Sequence, residues 1–241
     1  MADDLDGDGL DDLVLAGHLG DVGILLALGN GSFLEKERHP LTNDFRVTLV
    51  AADFDQDGAP DLAVSYLSEH TDRLGAFRLL PNRGDGSFAE PLRFNIGFGP
   101  HAMSTGDFTG DGVLDLAITH VASRRDRFSV YRGIGDGTFE VAVRRTIGSE
   151  EGVCGGACGN PSTSTMVDLD GDGHLDVVTG RLFGSELTVL FGAGDGSIAR
   201  VLRHHPGFRP KGLTAADLDA DGDIDLVPGG GQTILVNCSR P

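Results

Sequence analysis

Five times along its 241 residues this chain repeats one acidic loop, with oxygen-bearing side chains at positions 1, 3 and 5, glycine at 6 and aspartate at 9. The copies are Asp4-Leu-Asp6-Gly-Asp8-Gly9-Leu10-Asp-Asp12, Asp53-Phe-Asp55-Gln-Asp57-Gly58-Ala59-Pro-Asp61, Asp107-Phe-Thr109-Gly-Asp111-Gly112-Val113-Leu-Asp115, Asp168-Leu-Asp170-Gly-Asp172-Gly173-His174-Leu-Asp176 and Asp217-Leu-Asp219-Ala-Asp221-Gly222-Asp223-Ile-Asp225. Carboxylates crowded in this way repel one another unless a cation lies between them. Calcium suits the pattern best, because it takes six to eight oxygen ligands with tolerant geometry. Positions 1, 3, 5 and 9 are expected to supply side-chain oxygens, and position 7 (Leu10, Ala59, Val113, His174 and Asp223) a backbone carbonyl. Glycine at position 6 permits the sharp turn around the ion. Four to five Ca²⁺ ions are expected, the third site being weaker or relying on water because Thr109 stands where the others have aspartate.

The loop is not an EF-hand. That motif needs a bidentate glutamate at position 12 and a helix on each side. Position 12 here holds Leu15, Val64, Ile118, Thr179 and Pro228. The closing acid sits at position 9, which makes a shorter loop that fits between two strands. Val47-Thr-Leu-Val-Ala before one loop and Asp61-Leu-Ala-Val-Ser after it are apolar, β-branched and short, as strands are. One copy alone would leave solvated acidic turns as the alternative; five in register argue against it.

The loops begin at residues 4, 53, 107, 168 and 217, so the repeat steps are 49, 54, 61 and 49 residues. A second signature follows the first four loops: Leu28-Gly-Asn-Gly-Ser-Phe33, Asn82-Arg-Gly-Asp-Gly-Ser-Phe88, Gly133-Ile-Gly-Asp-Gly-Thr-Phe139 and Gly192-Ala-Gly-Asp-Gly-Ser-Ile198. Asn-Gly or Asp-Gly before an apolar residue marks a tight hairpin. One unit therefore reads strand, acidic loop, strand, variable loop, strand, glycine turn, strand; in the second unit the strands are expected near 46–52, 61–67, 75–81 and 88–95. Four antiparallel strands in about 50 residues match a propeller blade. The fold class expected is all-β, a β-propeller of about five four-stranded blades forming a single domain over 1–241. The units run approximately 1–45, 46–98, 99–148, 162–207 and 208–241, with a cysteine-containing insertion at 149–161. The first unit lacks a strand before its loop and the fifth stops near Val236. A compact five-bladed ring is expected, with oligomerisation or missing flanking segments as the alternative.

These loops and the Gly-Asp-Gly-Ser/Thr-Phe turns resemble the FG-GAP/VCBS repeat, which also builds the β-propeller of integrin α subunits and is common in bacterial surface and secreted proteins. The resemblance spans almost the whole chain. It implies calcium in the loop joining the first two strands of each blade. It departs at Thr109 and in blade number, since propellers of this family often have seven.

Net charge is −18, and nineteen aspartates occupy the ligand positions. Five Ca²⁺ would bring the total to −8. The acidity is thus metal-site chemistry, and it argues against nucleic-acid binding, which needs Lys and Arg on phosphates. No apolar run approaches the roughly 18 residues of a membrane span, so no membrane insertion is expected. Met-Ala-Asp-Asp at the start has neither the basic segment nor the apolar stretch of a signal peptide. Cys154 and Cys158 are expected to close a small disulfide hairpin, leaving Cys238, and to favour an oxidising compartment.

Enzyme signatures such as Gly-x-Ser-x-Gly, His-Glu-x-x-His and Gly-x-x-x-x-Gly-Lys are absent. Arg83-Gly84-Asp85 is read as the repeat's own turn rather than an adhesion motif. Arg124, Arg125, Arg127 and Arg181, with Phe128 and Phe183, form a loop mixture able to grip an acidic sugar or a carboxylate. The leading expectation is a non-enzymatic, calcium-binding, extracellular or cell-surface propeller for adhesion or for recognition of a protein or glycan. The alternatives are an accessory or catalytic propeller domain of a polysaccharide-acting enzyme and an architectural spacer.

Overall fold

The computed structural model describes residues 1–17, 21–40, 47–67, 75–96, 99–121, 127–146, 161–181, 186–207, 210 and 212–229. Every regular element among them is a β-strand. The first sheet holds β1 (Ala2–Asp3), β2 (Asp12–Ala16), β3 (Asp21–Ala27) and β4 (Phe33–Pro40) in sequence order. The second holds β5 (Val47–Ala52), β6 (Asp61–Leu67), β7 (Gly75–Leu80) and β8 (Leu92–Asn95). The third holds β9 (Gly99–Gly106), β10 (Asp115–Val121), β11 (Arg127–Gly133) and β12 (Phe139–Thr146). The fourth holds β13 (Pro161–Val167), β14 (Asp176–Arg181), β15 (Leu187–Gly192) and β16 (Ile198–His204), and the fifth β17 (Gly212–Ala216) and β18 (Asp225–Gly229). In each sheet the acidic loop joins the first two strands, and in the first four the glycine turn joins the last two.

Two strand expectations need correction. The first unit does have a strand before its loop: Ala2 pairs with Leu13 and Asp3 with Asp12. It is only two residues long, too short for periodicity to reveal. In the second unit the last strand begins at Leu92 rather than Phe88. Pro91 has no N–H to donate to a ladder, and Phe88 makes only an isolated bridge to Asn82. Cys154, Cys158, Cys238, Arg124, Arg125, Phe183 and the expected third strand of the fifth unit lie outside the described residues.

The chain divides into two compact units, residues 1–100 with 133–138 and residues 101–132 with 139–241. In the first, Leu5, Val14, Val22, Ile24 and Leu26 of the first repeat form one core with Leu62, Val64, Leu80 and Phe88 of the second. In the second, Phe108, Ala117, Phe128 and Val130 pack with Val177, Leu190 and Ile198. Val178, Val189 and Phe191 then meet Leu226. Within each unit, neighbouring sheets thus bury their faces against one another, which is why no single repeat would be stable by itself. Phe128 is fully buried in that core, so it packs and does not offer its ring to a ligand.

The glycine turns are seated on loops of the preceding repeat. Gly86 donates its N–H to Leu5 O at 3.1 Å, and Gly137 to Phe54 O at 3.3 Å. Gly86 has φ 72°, and an added Cβ would stand 2.7 Å from Leu26 Cδ2 and 3.4 Å from Asp6 Cβ. Gly7 has nearly the same backbone, φ 76°, yet nothing within 4 Å. Alanine at either position costs about 1–2 kcal/mol for the left-handed backbone. At Gly86 crowding adds about 1–3 kcal/mol. In chelator, the urea midpoint of Gly86→Ala is expected well below that of Gly7→Ala; equal midpoints would show that the turn is not packed.

Candidate metal centres

Each loop is wound by its own carboxylates. Asp4 accepts the N–H groups of Gly7 (2.9 Å) and Gly9 (3.0 Å), and Asp8 accepts that of Leu10 (2.8 Å). The pattern recurs: the position-1 carboxylates Asp53, Asp107, Asp168 and Asp217 each accept the N–H of the position-6 glycine. Likewise the position-7 residues Ala59, Val113, His174 and Asp223 each donate their N–H to the position-5 carboxylate. These bonds orient the peptide planes through the turn. The backbone is also left-handed at position 4, where Gln56 and Ala220 adopt φ 62° and 61°. The other loops place glycine there, so those two residues hold a conformation that L-residues disfavour.

Four groups of three carboxylates bring one oxygen each within 4.8 Å of the others: Asp4, Asp6 and Asp8; Asp53, Asp55 and Asp57; Asp168, Asp170 and Asp176; Asp217, Asp219 and Asp225. Calcium–oxygen distances of 2.3–2.6 Å put ligands on opposite sides of an ion about 5 Å apart, so one Ca²⁺ fits inside each group. Among the described residues, the third loop forms no such group of three.

The closing aspartates do more than the pattern suggests. Asp12, Asp61, Asp115, Asp176 and Asp225 are all fully buried. Asp61 Oδ2 accepts the Phe54 N–H at 3.1 Å and its Oδ1 the Asn82 N–H at 2.8 Å. Asp12 does the same with Leu5 (2.9 Å) and Ala27 (2.7 Å), and Asp176 with Leu169 (3.0 Å) and Gly192 (2.9 Å). One carboxylate thereby ties the head of the loop to the end of the third strand. This tie joins residues that lie 15 and 21 positions apart in the first two repeats, a distance that no local motif reveals.

Without metal these groups are electrostatically uncomfortable. Burial, reinforced by neighbouring loop carboxylates, raises Asp6, Asp55 and Asp219 above the ordinary carboxylate range. Burial pushes Asp61 and Asp176 up to about 6, against the opposing pull of their N–H donors. Asp111 goes the other way: burial raises it, but the Arg132 hydrogen bond, the Val113 N–H and the Arg132 charge hold it below its usual value. A raised folded-state value means that the metal-free fold takes up protons between pH 4 and 6 more readily than the unfolded chain. Its stability therefore grows as pH falls through about 6, by about 2–3 kcal/mol for each of Asp61 and Asp176. In chelator, the denaturation midpoint is expected to be higher at pH 5 than at pH 7.5; a lower midpoint at pH 5 contradicts this.

A cleft of about 380 Å³ lies beside the third loop, lined by Thr109, Asp111, Arg132, Val143, Asp195 and Ser197 among others. Arg83-Gly84-Asp85 is spent on its own turn: Arg83 Nη1 donates to Phe88 O, and Asp85 Oδ1 accepts the Ser87 N–H at 2.9 Å.

With loops and sheets in place, the comparisons agree with them. The FG-GAP-like repeat matches residues 4–64, 120–179 and 168–227, and the chain belongs to that family. It is 30% identical to human integrin alpha-7 over 161 residues, 64% of this chain and 13% of that protein. It is 34% identical to mouse cartilage acidic protein 1 over 93 residues, 36% of this chain and 14% of that protein. The chain thus spans about one-seventh of these relatives. Among solved structures, the Dos1 propeller superposes with a TM-score of 0.56 at 12% identity, covering 90% of this chain and 51% of that one. A rhamnogalacturonan lyase from Bacillus licheniformis superposes with a TM-score of 0.53 at 14% identity, covering 98% and 55%. The fold is a β-propeller, and about five blades fits its sheets. Among the described residues no helix is long and apolar enough to cross a membrane.

Proposed function

We propose that this chain is a calcium-stabilised, non-enzymatic recognition propeller that works outside the cell. The observation that carries the metal assignment is the gathering of three carboxylates in four separate loops. Sites rich in carboxylates on exposed loops of this length suit an exterior where calcium is near millimolar, and Kd values of about 10⁻⁴–10⁻³ M are typical of extracellular modules. Such sites hold the scaffold, while the surfaces between strands meet the partner. The cleft lined by Thr109, Arg132, Asp195 and Ser197 beside apolar Ala142 and Val143 supports a hydroxyl-bearing partner such as a glycan. Binding to a panel of glycans and matrix proteins, with calcium and with chelator, tests this reading. Calcium-dependent retention of at least one class, without turnover, is the expected result; no retention of any class would leave a spacer.

The fold likeness to a rhamnogalacturonan lyase motivates a second reading, an accessory or catalytic domain of a polysaccharide-acting enzyme. Release of unsaturated oligosaccharides from pectic polysaccharide by the purified chain would decide for it.

A further inference from the structure

The third loop differs from its sisters by more than Thr109. Arg132 on β11 reaches Asp111 with two nitrogens, Nε at 2.8 Å and Nη2 at 2.7 Å from the same oxygen, Oδ2. The other oxygen accepts the Val113 N–H at 3.0 Å, so both sides of this carboxylate are engaged. Among the described residues no arginine or lysine is bonded to the equivalent Asp8, Asp57, Asp172 or Asp221. The strands deliver the arginine: Leu116 of β10 pairs with Tyr131 of β11, and the next step along each strand brings Arg132 beside the end of the loop. Four residues before the central residue of the other glycine turns stand Leu26, Pro81 and Phe191, none of which carries a charge. The contrast with Arg200 is instructive. It touches Asp170 through one nitrogen at 3.2 Å while stacking over Phe191, and Asp170 still joins Asp168 and Asp176 in a group.

We infer that Arg132 takes the place of the metal ion in the third loop, so that residues 107–115 keep their turn on an internal cation and bind no calcium. Thr109 removes one negative charge from the ligand positions and the guanidinium adds one positive charge, so the local charge falls from four negative to two. A Ca²⁺ at bonding distance from Asp111 would have to sit against that guanidinium, and like charges so close repel. The third repeat is then the one whose geometry does not depend on the ionic surroundings, and the cleft beside it keeps its shape when calcium fluctuates. The inference rests on the calcium reading of the other four loops, and the test separates the two.

Hydrogen exchange on the full chain, in millimolar calcium and in excess chelator, reads each loop separately. Chelation is expected to speed exchange about tenfold or more in 4–12, 53–61, 168–176 and 217–225, and to change 107–115 by less than about twofold. Arg132 is 47% exposed, so Arg132→Met is expected to fold. It should speed exchange in 107–115 about tenfold in chelator. Thr109→Asp with Arg132→Met should restore protection only with calcium and add one bound ion by native mass spectrometry. A wild-type third loop that slows with calcium like the others overturns the inference, as does an Arg132→Met loop that exchanges unchanged in chelator. If no loop responds to calcium, the calcium reading fails, and the Arg132→Met arm in chelator still decides what the arginine does.

Discussion

Stripping calcium from this protein is expected to lower its thermal midpoint by about 10–20 °C. Each site held at about ten times its Kd adds about 1.4 kcal/mol to the folded state, so four sites add about 6 kcal/mol. In a domain of this size each kcal/mol shifts the midpoint by about 2–4 °C. The direction follows from the loops themselves, whose carboxylates are raised by burial and by one another when no cation is present. The loss should be reversed by returning calcium and not by magnesium, which demands a tighter octahedron and gives up water reluctantly. Differential scanning calorimetry in calcium, magnesium and chelator measures all three cases. Identical midpoints in calcium and chelator would remove the metal from the account of stability.

The second large effect belongs to a residue that works even without metal. Asp61→Ala leaves the buried N–H groups of Phe54 and Asn82 without their acceptor. Each orphaned donor costs about 1–3 kcal/mol, so a loss of about 2–6 kcal/mol is expected in chelator. Asp57 is exposed and caps only local N–H groups of its own loop, so Asp57→Ala should cost less than about 1 kcal/mol under the same conditions. In calcium both variants lose a ligand group, and the gap between them should persist. Denaturant unfolding of the two variants is the measurement. Equal losses in chelator would show that the closing aspartate is a ligand and nothing more.

The contrast between Asp57 and Asp61 also marks where sequence reading stops. Alternating acids, the position-6 glycine and the Gly-Asp-Gly turns are local patterns, enough to place the strands on either side of the second loop but not the two-residue β1 before the first. The partners of Asp12, Asp61 and Asp176 are not local: Ala27, Asn82 and Gly192 become their neighbours only when the third strand returns along the second. Position 4 hides its left-handed backbone behind Gln56 and Ala220, which carry no signature of it. Pro91 delayed a strand that hydrophobicity alone would start at Phe88. No local pattern marks Arg132 as the partner of Asp111; strand pairing sets it there. Phe128, grouped by sequence with a ligand-gripping loop, proved to be core.

A crystal grown in calcium and measured for anomalous scattering puts the account to its most direct test. Peaks are expected inside 4–12, 53–61, 168–176 and 217–225, each within bonding distance of the aspartates named above. Flat anomalous density in those four loops at millimolar calcium, with the strands intact, would contradict it.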